Sequence, residues 1–188
     1  MRIIAGTTKG RRLHTPAKSS RRIRPTADRA REAVFSIIGS EVKRAAVLDL
    51  YAGTGALGLE ALSRGADSAV FVDLHNESLE LINKNIDLCG FSERSQLVRR
   101  DLTKGLSFLE QISPAKGYDL IFIDPPYGKE LASKALSDLG NTKLLTKDTL
   151  VIAEEESAAI FAEEYNGLRL FDRRRYGDTG FWLFRPEE

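Results

Sequence analysis

The sequence predicts an α/β fold: a seven-stranded, mostly parallel sheet with helices on both faces, an antiparallel C-terminal hairpin, and a small basic arm in front. Three observations predict it. From residue 46 onward, short apolar runs of strand length alternate with amphipathic stretches of helical length, the pattern of repeated βα units. Four successive runs carry an aspartate at or beside their ends: Asp49, Asp73, Asp101 and Asp124. The C-terminal stretch breaks the alternation, because 168–176 and 179–184 are two β-like runs joined by Gly177-Asp178, a hairpin signal.

The elements follow in order. Residues 1–27 mix short β-like pieces with Gly6, Gly10 and Pro16, and read as a basic arm or hairpin. Residues 28–188 form the main domain. From Asp28, the residues Ala30, Ala33, Val34, Ile37 and Ile38 recur with the spacing of one helical face, with Arg29, Arg31 and Glu32 off it. Strands are expected at about 46–50, 69–73, 95–100, 118–124 and 149–155. Helices are expected at about 56–64, 76–89, 103–111, 130–139 and 157–164.

A chain of 188 residues, 42% hydrophobic and 29% charged, is long enough to bury a core, and no apolar run reaches the ~20 residues of a membrane span. The N-terminus lacks the apolar core of a secretory signal. The single cysteine, Cys89, falls in step with Leu79, Ile82 and Ile86 on a predicted helix, so a small core residue is expected. With His14 and His75 as the two histidines, no metal-ligand cluster stands out. A cytoplasmic monomer without metal is expected. Charge is segregated: residues 1–31 hold ten Lys/Arg against the single acid Asp28, and the remainder holds eighteen basic and twenty-six acidic residues. That asymmetry suits a polyanion partner, with Arg11, Arg12, Arg21, Arg22, Arg24, Arg29 and Arg31 as the candidate phosphate contacts.

The turn after the first strand, Asp49-Leu50-Tyr51-Ala52-Gly53-Thr54-Gly55, continues to Gly58 and matches G-x-G-x-x-G. A dinucleotide site would set a pyrophosphate against this loop, and a carboxylate at Asp49 would repel it. The same carboxylate suits a ligand carrying an ammonium and a sulfonium, as S-adenosylmethionine does. Asp73 can accept from both ribose hydroxyls. Asp101, followed by Leu102, can accept from an adenine amine. In a parallel sheet all four aspartates would line one edge.

The fourth acid opens Asp124-Pro125-Pro126-Tyr127. Two prolines remove two backbone donors and stiffen the chain, leaving a carboxylate and carbonyls with an aromatic ring beside them. Such a rim receives a planar NH2 group.

The order of these pieces resembles class I S-adenosylmethionine-dependent methyltransferases that act on exocyclic amines, a Rossmann-like fold. More narrowly, residues 24–35 (RPTADRAREAVF), the loop 49–58 and Tyr176-Gly177-Asp178-Thr179 are similar to the RsmD family, the bacterial 16S ribosomal RNA guanine-N2 methyltransferases. The one departure is Asp73, where a longer Glu is expected. The resemblance implies methyl transfer from S-adenosylmethionine to guanine N2 in small-subunit ribosomal RNA. It implies a cofactor site of Asp49, Tyr51, Ala52, Gly53, Thr54, Gly55, Asp73, Asp101, Leu102 and Asp124, and a catalytic rim of Asp124, Pro125, Pro126 and Tyr127. The motif at Asp124 is shared with adenine-N6 methyltransferases, so guanine rests on the other pieces. An NAD oxidoreductase and a non-enzymatic RNA-binding module are the rivals from other classes.

Overall fold

Apolar runs rich in β-branched and aromatic residues build the sheet, because in a covered sheet both sides of a strand find neighbours. The computed structural model describes residues 1–16, 25–128 and 130–187, with 25–27 described by backbone alone. Five strands are parallel: β1 (Ala46–Leu50), β2 (Ser68–Asp73), β3 (Ser95–Arg99), β4 (Tyr118–Ile123) and β5 (Leu145–Glu156). β6 (Glu164–Tyr165), β7 (Leu168–Tyr176) and β8 (Thr179–Pro186) are antiparallel to their neighbours. The order across the sheet is β3-β2-β1-β4-β5-β8-β7-β6.

The described strands number eight, where the sequence predicts seven. The additional strand, β6, is two residues long and turns into β7 through Asn166-Gly167, both at positive φ, 48° and 84°. A tight two-residue hairpin demands that geometry and Asn-Gly supplies it. The chain also returns to insert β8 between β5 and β7, so three strand pairings, not only the terminal hairpin, are antiparallel beside the parallel core.

One face of the sheet is covered by α1 (Pro25–Ile38), α2 (Ala56–Ser63) and α3 (Asn76–Cys89), whose buried residues share a core with Val47, Phe71, Phe122 and Ile152. The other face is covered by α4 (Leu131–Gly140) with Leu102, Leu106 and Leu109, against Leu48, Leu50, Ile121 and Val151. The expected helix at 103–111 is instead two 3-10 turns, Leu102–Lys104 and Ser107–Gln111. Gly105, at φ 95°, separates them, and the three leucines still reach the core. The expected helix at 157–164 is absent. Its Phe161 ring lies 4.7 Å from that of Trp182 and 6.1 Å from that of Phe184, so packing on β8 decides the path of this segment.

The buried stripe of α1 also differs from expectation. Among the described side chains of α1, Ala30, Arg31, Val34, Phe35 and Ile38 are buried, while Ala33 and Ile37 are half-buried. Phe35 sets this phase, its ring 5.6 Å from that of Phe122. Arg31, one turn before Phe35, is carried inward with it.

Residues 1–16 do not stand apart from this core. Arg2 and Arg12 form an antiparallel bridge, and Ile3 and Leu13 are buried with the α1–α3 layer. The backbone N–H groups of Ile4 and Ala5 donate to the fully buried Glu60 carboxylate at 2.8 and 3.0 Å.

Candidate active site

Parallel pairing puts the C-terminal ends of β1 to β4 on one edge, so the four aspartates fall in the spatial order Asp101, Asp73, Asp49, Asp124. All four line one cavity of about 1350 Å³. Pleating explains three of them. Val47, Phe71 and Phe122 face the α1–α3 layer, and two residues further along each chain come Asp49, Asp73 and Asp124.

The glycine loop closes one wall. Tyr51 (φ 60°), Gly53 (φ 56°) and Gly55 (φ 75°) all sit at positive φ, and α2 begins at Ala56. The Gly53 N–H donates to Asp73 Oδ2 at 3.0 Å, and the His75 N–H donates to Asp73 Oδ1 at 2.9 Å. Asp73 is therefore oriented by backbone on both oxygens while remaining on the cavity wall. The Gly58 N–H donates to Asp49 Oδ2 at 2.9 Å. Gly58 is required for close approach, since a Cβ there would lie 2.4 Å from the Phe71 ring and 3.1 Å from Asp49 Oδ2. Burial pushes the Asp49 carboxyl up to about 7, against the Gly58 hydrogen bond, and Asp73 adds repulsion. Asp101 is more open. The Thr103 hydroxyl and N–H both donate to its Oδ1, at 2.6 and 3.0 Å, and hold its carboxyl below the usual value.

The opposite wall is the rim 124–127. Pro125 is buried, Pro126 and Tyr127 are exposed, and Asp124 is half-buried on the cavity wall. Burial, then Glu154, then Asp49 and Glu155 raise the Asp124 carboxyl well above the ordinary carboxylate range. Two residues that the sequence analysis did not single out hold this rim. The Tyr127 hydroxyl donates to Glu154 Oε1 at 2.8 Å, and the Gly128 N–H donates to Glu155 at 3.2 Å. Ile123 pairs with Ala153, so Asp124 and Glu154 follow side by side at the ends of β4 and β5. Glu154 was legible in principle, two residues beyond Ile152, which faces the same layer as Phe122.

The candidate phosphate contacts divide. Arg11, Arg12 and Arg29 are exposed, with Arg11 donating to the Leu88 carbonyl at the end of α3. Arg21, Arg22 and Arg24 lie outside the described residues. Arg31 is not on an outer face: it is buried, donates to the Arg2 carbonyl and to Asp28, and lies 3.8 Å from Glu60. Its position follows from the shifted stripe of α1, and it borders the cavity from within. Two further exposed arginines, Arg100 and Arg175, lie at the same cavity. Arg175 belongs to the run 173–175, whose sequence offers a solvated strand first and an extension of the basic surface second, whereas Arg100 was not singled out from the sequence.

Asn85, fully buried on α3, ties the N-terminal segment to the glycine loop. Its Oδ1 accepts from the His14 N–H at 2.7 Å, and its Nδ2 donates to the His14 carbonyl at 3.1 Å and the Thr54 carbonyl at 3.0 Å.

Residues 1–185 match the family described as Conserved hypothetical protein 95. The chain is similar to YlbH of Bacillus subtilis (strain 168), 31% identical over 185 residues and 98% of each chain. It is 35% identical over 157 residues to Ribosomal RNA small subunit methyltransferase D of Haemophilus influenzae, covering 83% of this chain and 79% of that one. Among solved structures, yhhF from Escherichia coli superposes with a TM-score of 0.83 at 28% identity, over 100% of this chain and 98% of that one.

Proposed function

Because the chain belongs to the family described as Conserved hypothetical protein 95, the RsmD family, we propose that it methylates the exocyclic N2 amine of a guanine in 16S ribosomal RNA, with S-adenosylmethionine as donor. The observation that carries this reading is one cavity bounded by the glycine loop with its three aspartates on one side and the Asp124–Tyr127 rim on the other. Its volume of about 1350 Å³ exceeds the usual ~300–1000 Å³ of a single-ligand pocket and leaves room for a donor and a base together.

The residues present fit the donor. Asp73, oriented by Gly53 and His75, holds the ribose hydroxyls. Asp101 and Leu102 flank the adenine. Tyr51, Ala52, Gly53 and Thr54 line the methionine end, and Gly55, off the cavity wall, turns the chain into α2. Burial raises the Asp49 carboxyl, and a neighbouring cation favours its ionised form. When bound, S-adenosylmethionine supplies an electrophilic methyl group on its sulfonium.

The rim handles the acceptor. The N2 lone pair of guanine is delocalised into the ring, and acceptors on its two hydrogens localise it. The Asp124 carboxylate and the Pro125 carbonyl are those acceptors, fixed before the reaction begins. As the N2–CH3 bond forms and the S–CH3 bond breaks, positive charge develops on N2 beside Asp124. The Asp124 carboxylate stabilises that charge, and the N2 proton leaves to Asp124 or to water. Tyr127, held by Glu154, presents its ring to an extruded base. Residues 1–27 and Arg29, with Arg100 and Arg175 at the mouth, bind phosphates, while residues 28–188 carry the transferase.

Incubation with radiolabelled S-adenosylmethionine and unmethylated small subunits or their RNA, followed by nucleoside analysis, tests the reading. N2-methylguanosine is expected. N6-methyladenosine, or no transfer to RNA, overturns it.

A further inference from the structure

We infer that Glu154 is the residue that reads the acceptor as guanine, by accepting a hydrogen bond from N1–H while Asp124 and Pro125 hold N2. The inference rests on the proposed guanine-N2 reading and adds a specificity group to the same cavity.

The geometry begins with the sheet. Pairing of Ile123 with Ala153 sets Asp124 and Glu154 on adjacent strand ends, and both line the cavity with Tyr127 between the rim and β5. Guanine carries N1–H and N2–H2 side by side on its Watson–Crick edge. Two neighbouring acceptor groups therefore match two neighbouring donors. Adenine presents the opposite at N1, a lone pair, and a carboxylate facing it would be repelled and left unpaired. The Asp124 rim alone recognises only an amine, and the second acceptor supplies what that motif lacks.

Glu154 is equipped for this. Tyr127 donates to Oε1 and fixes the side chain, and Oε2 is the acceptor assigned to the base. Burial, with a smaller push from Glu155, raises the Glu154 carboxyl above its ordinary value, while the Tyr127 hydrogen bond and the charge of buried Arg31 pull it back toward the ionised form. Glu155, the next residue, is committed elsewhere, accepting from the N–H groups of Gly128 and Glu156.

The test uses 2-aminopurine, which keeps the 2-amine but has a lone pair at N1. The nucleotide methylated by the wild-type enzyme is first mapped, and small-subunit RNA is then ligated with guanine or 2-aminopurine at that position. Wild type is expected to favour guanine by about 100-fold or more in kcat/KM. In Glu154→Gln the carboxamide oxygen still accepts from Tyr127 while its NH2 faces N1, and the preference is expected to fall below about tenfold. Tyr127→Phe removes the tether but not the acceptor, and is expected to slow both substrates with the preference kept. An unchanged preference in Glu154→Gln, or an equal collapse in Tyr127→Phe, overturns the inference alone. Absence of any guanine-N2 methylation by wild type overturns the reading beneath it as well.

Discussion

The N–H of Gly58 donates to Asp49 Oδ2 at 2.9 Å, which ties a fully buried carboxyl to the first turn of α2. The bond does not offset burial, and the Asp49 carboxyl rises from 3.8 to about 7. Between those values the folded chain keeps a proton that the unfolded chain has released. Stability from this group is therefore greatest below about pH 4 and falls as pH rises toward 7. Thermal melts of the ligand-free protein at pH 5.5 and 7.5 check this. Asp49→Asn is expected to raise the melting temperature at pH 7.5 more than at pH 5.5, and an equal change at both contradicts the assignment.

Gly58 is the contact point between α2 and β2. Gly58→Ala drives a methyl group into the Phe71 ring and against Asp49, with an expected cost of about 1–3 kcal/mol in urea unfolding. An unchanged midpoint would show that the ring has room to move.

Asn85 makes three hydrogen bonds from a fully buried position, one of them to the Thr54 carbonyl of the glycine loop. Asn85→Ala leaves those backbone groups without their partner and is expected to cost about 1–3 kcal/mol. It should also weaken S-adenosylmethionine binding, measured by calorimetry, because Thr54 loses its anchor to α3.

In the proposed reaction Asp124 acts on the acceptor, from the strand end on the other side of Asp49 from Asp73. Asp124→Ala is expected to lower methyl transfer by about 10²-fold or more while S-adenosylmethionine binding persists. Loss of donor binding in calorimetry, or full activity, would contradict its role.

Arg12 and Arg29 are exposed and far from the donor loop in sequence. Reversing both to Glu is expected to weaken RNA binding and to flatten its salt dependence by about 0.7–0.9 in log–log slope per lost phosphate contact. Donor affinity should be unchanged, and an equal loss of both would indicate misfolding.

Much of the fold and part of the site were legible in the sequence because they depend on local pattern. Buried strands announce themselves as apolar runs, and parallel pairing brings their C-terminal ends together. Asp49, Asp73, Asp101 and Asp124 could therefore be assigned to one edge before any contact was known. The glycine loop was legible for the same reason, since its conformation is set by the residues that form it.

What only the tertiary structure decided depends on contacts between distant segments. The stretch 157–164 has helical composition, yet Phe161 is taken up by Trp182 and Phe184. Arg31 fits an outward position by spacing, yet Phe35 packing on Phe122 turns it inward to Asp28 and Glu60. Glu154 is one acid in a run of three, and its place beside Asp124 comes from the register of β4 on β5. The sequence alone determined four aspartates on one sheet edge, a glycine loop beside them and the Asp124–Tyr127 rim. The packing of β5 determined that Glu154 stands next to that rim, because strand register is set by pairing across the sheet and not by the residues of either strand.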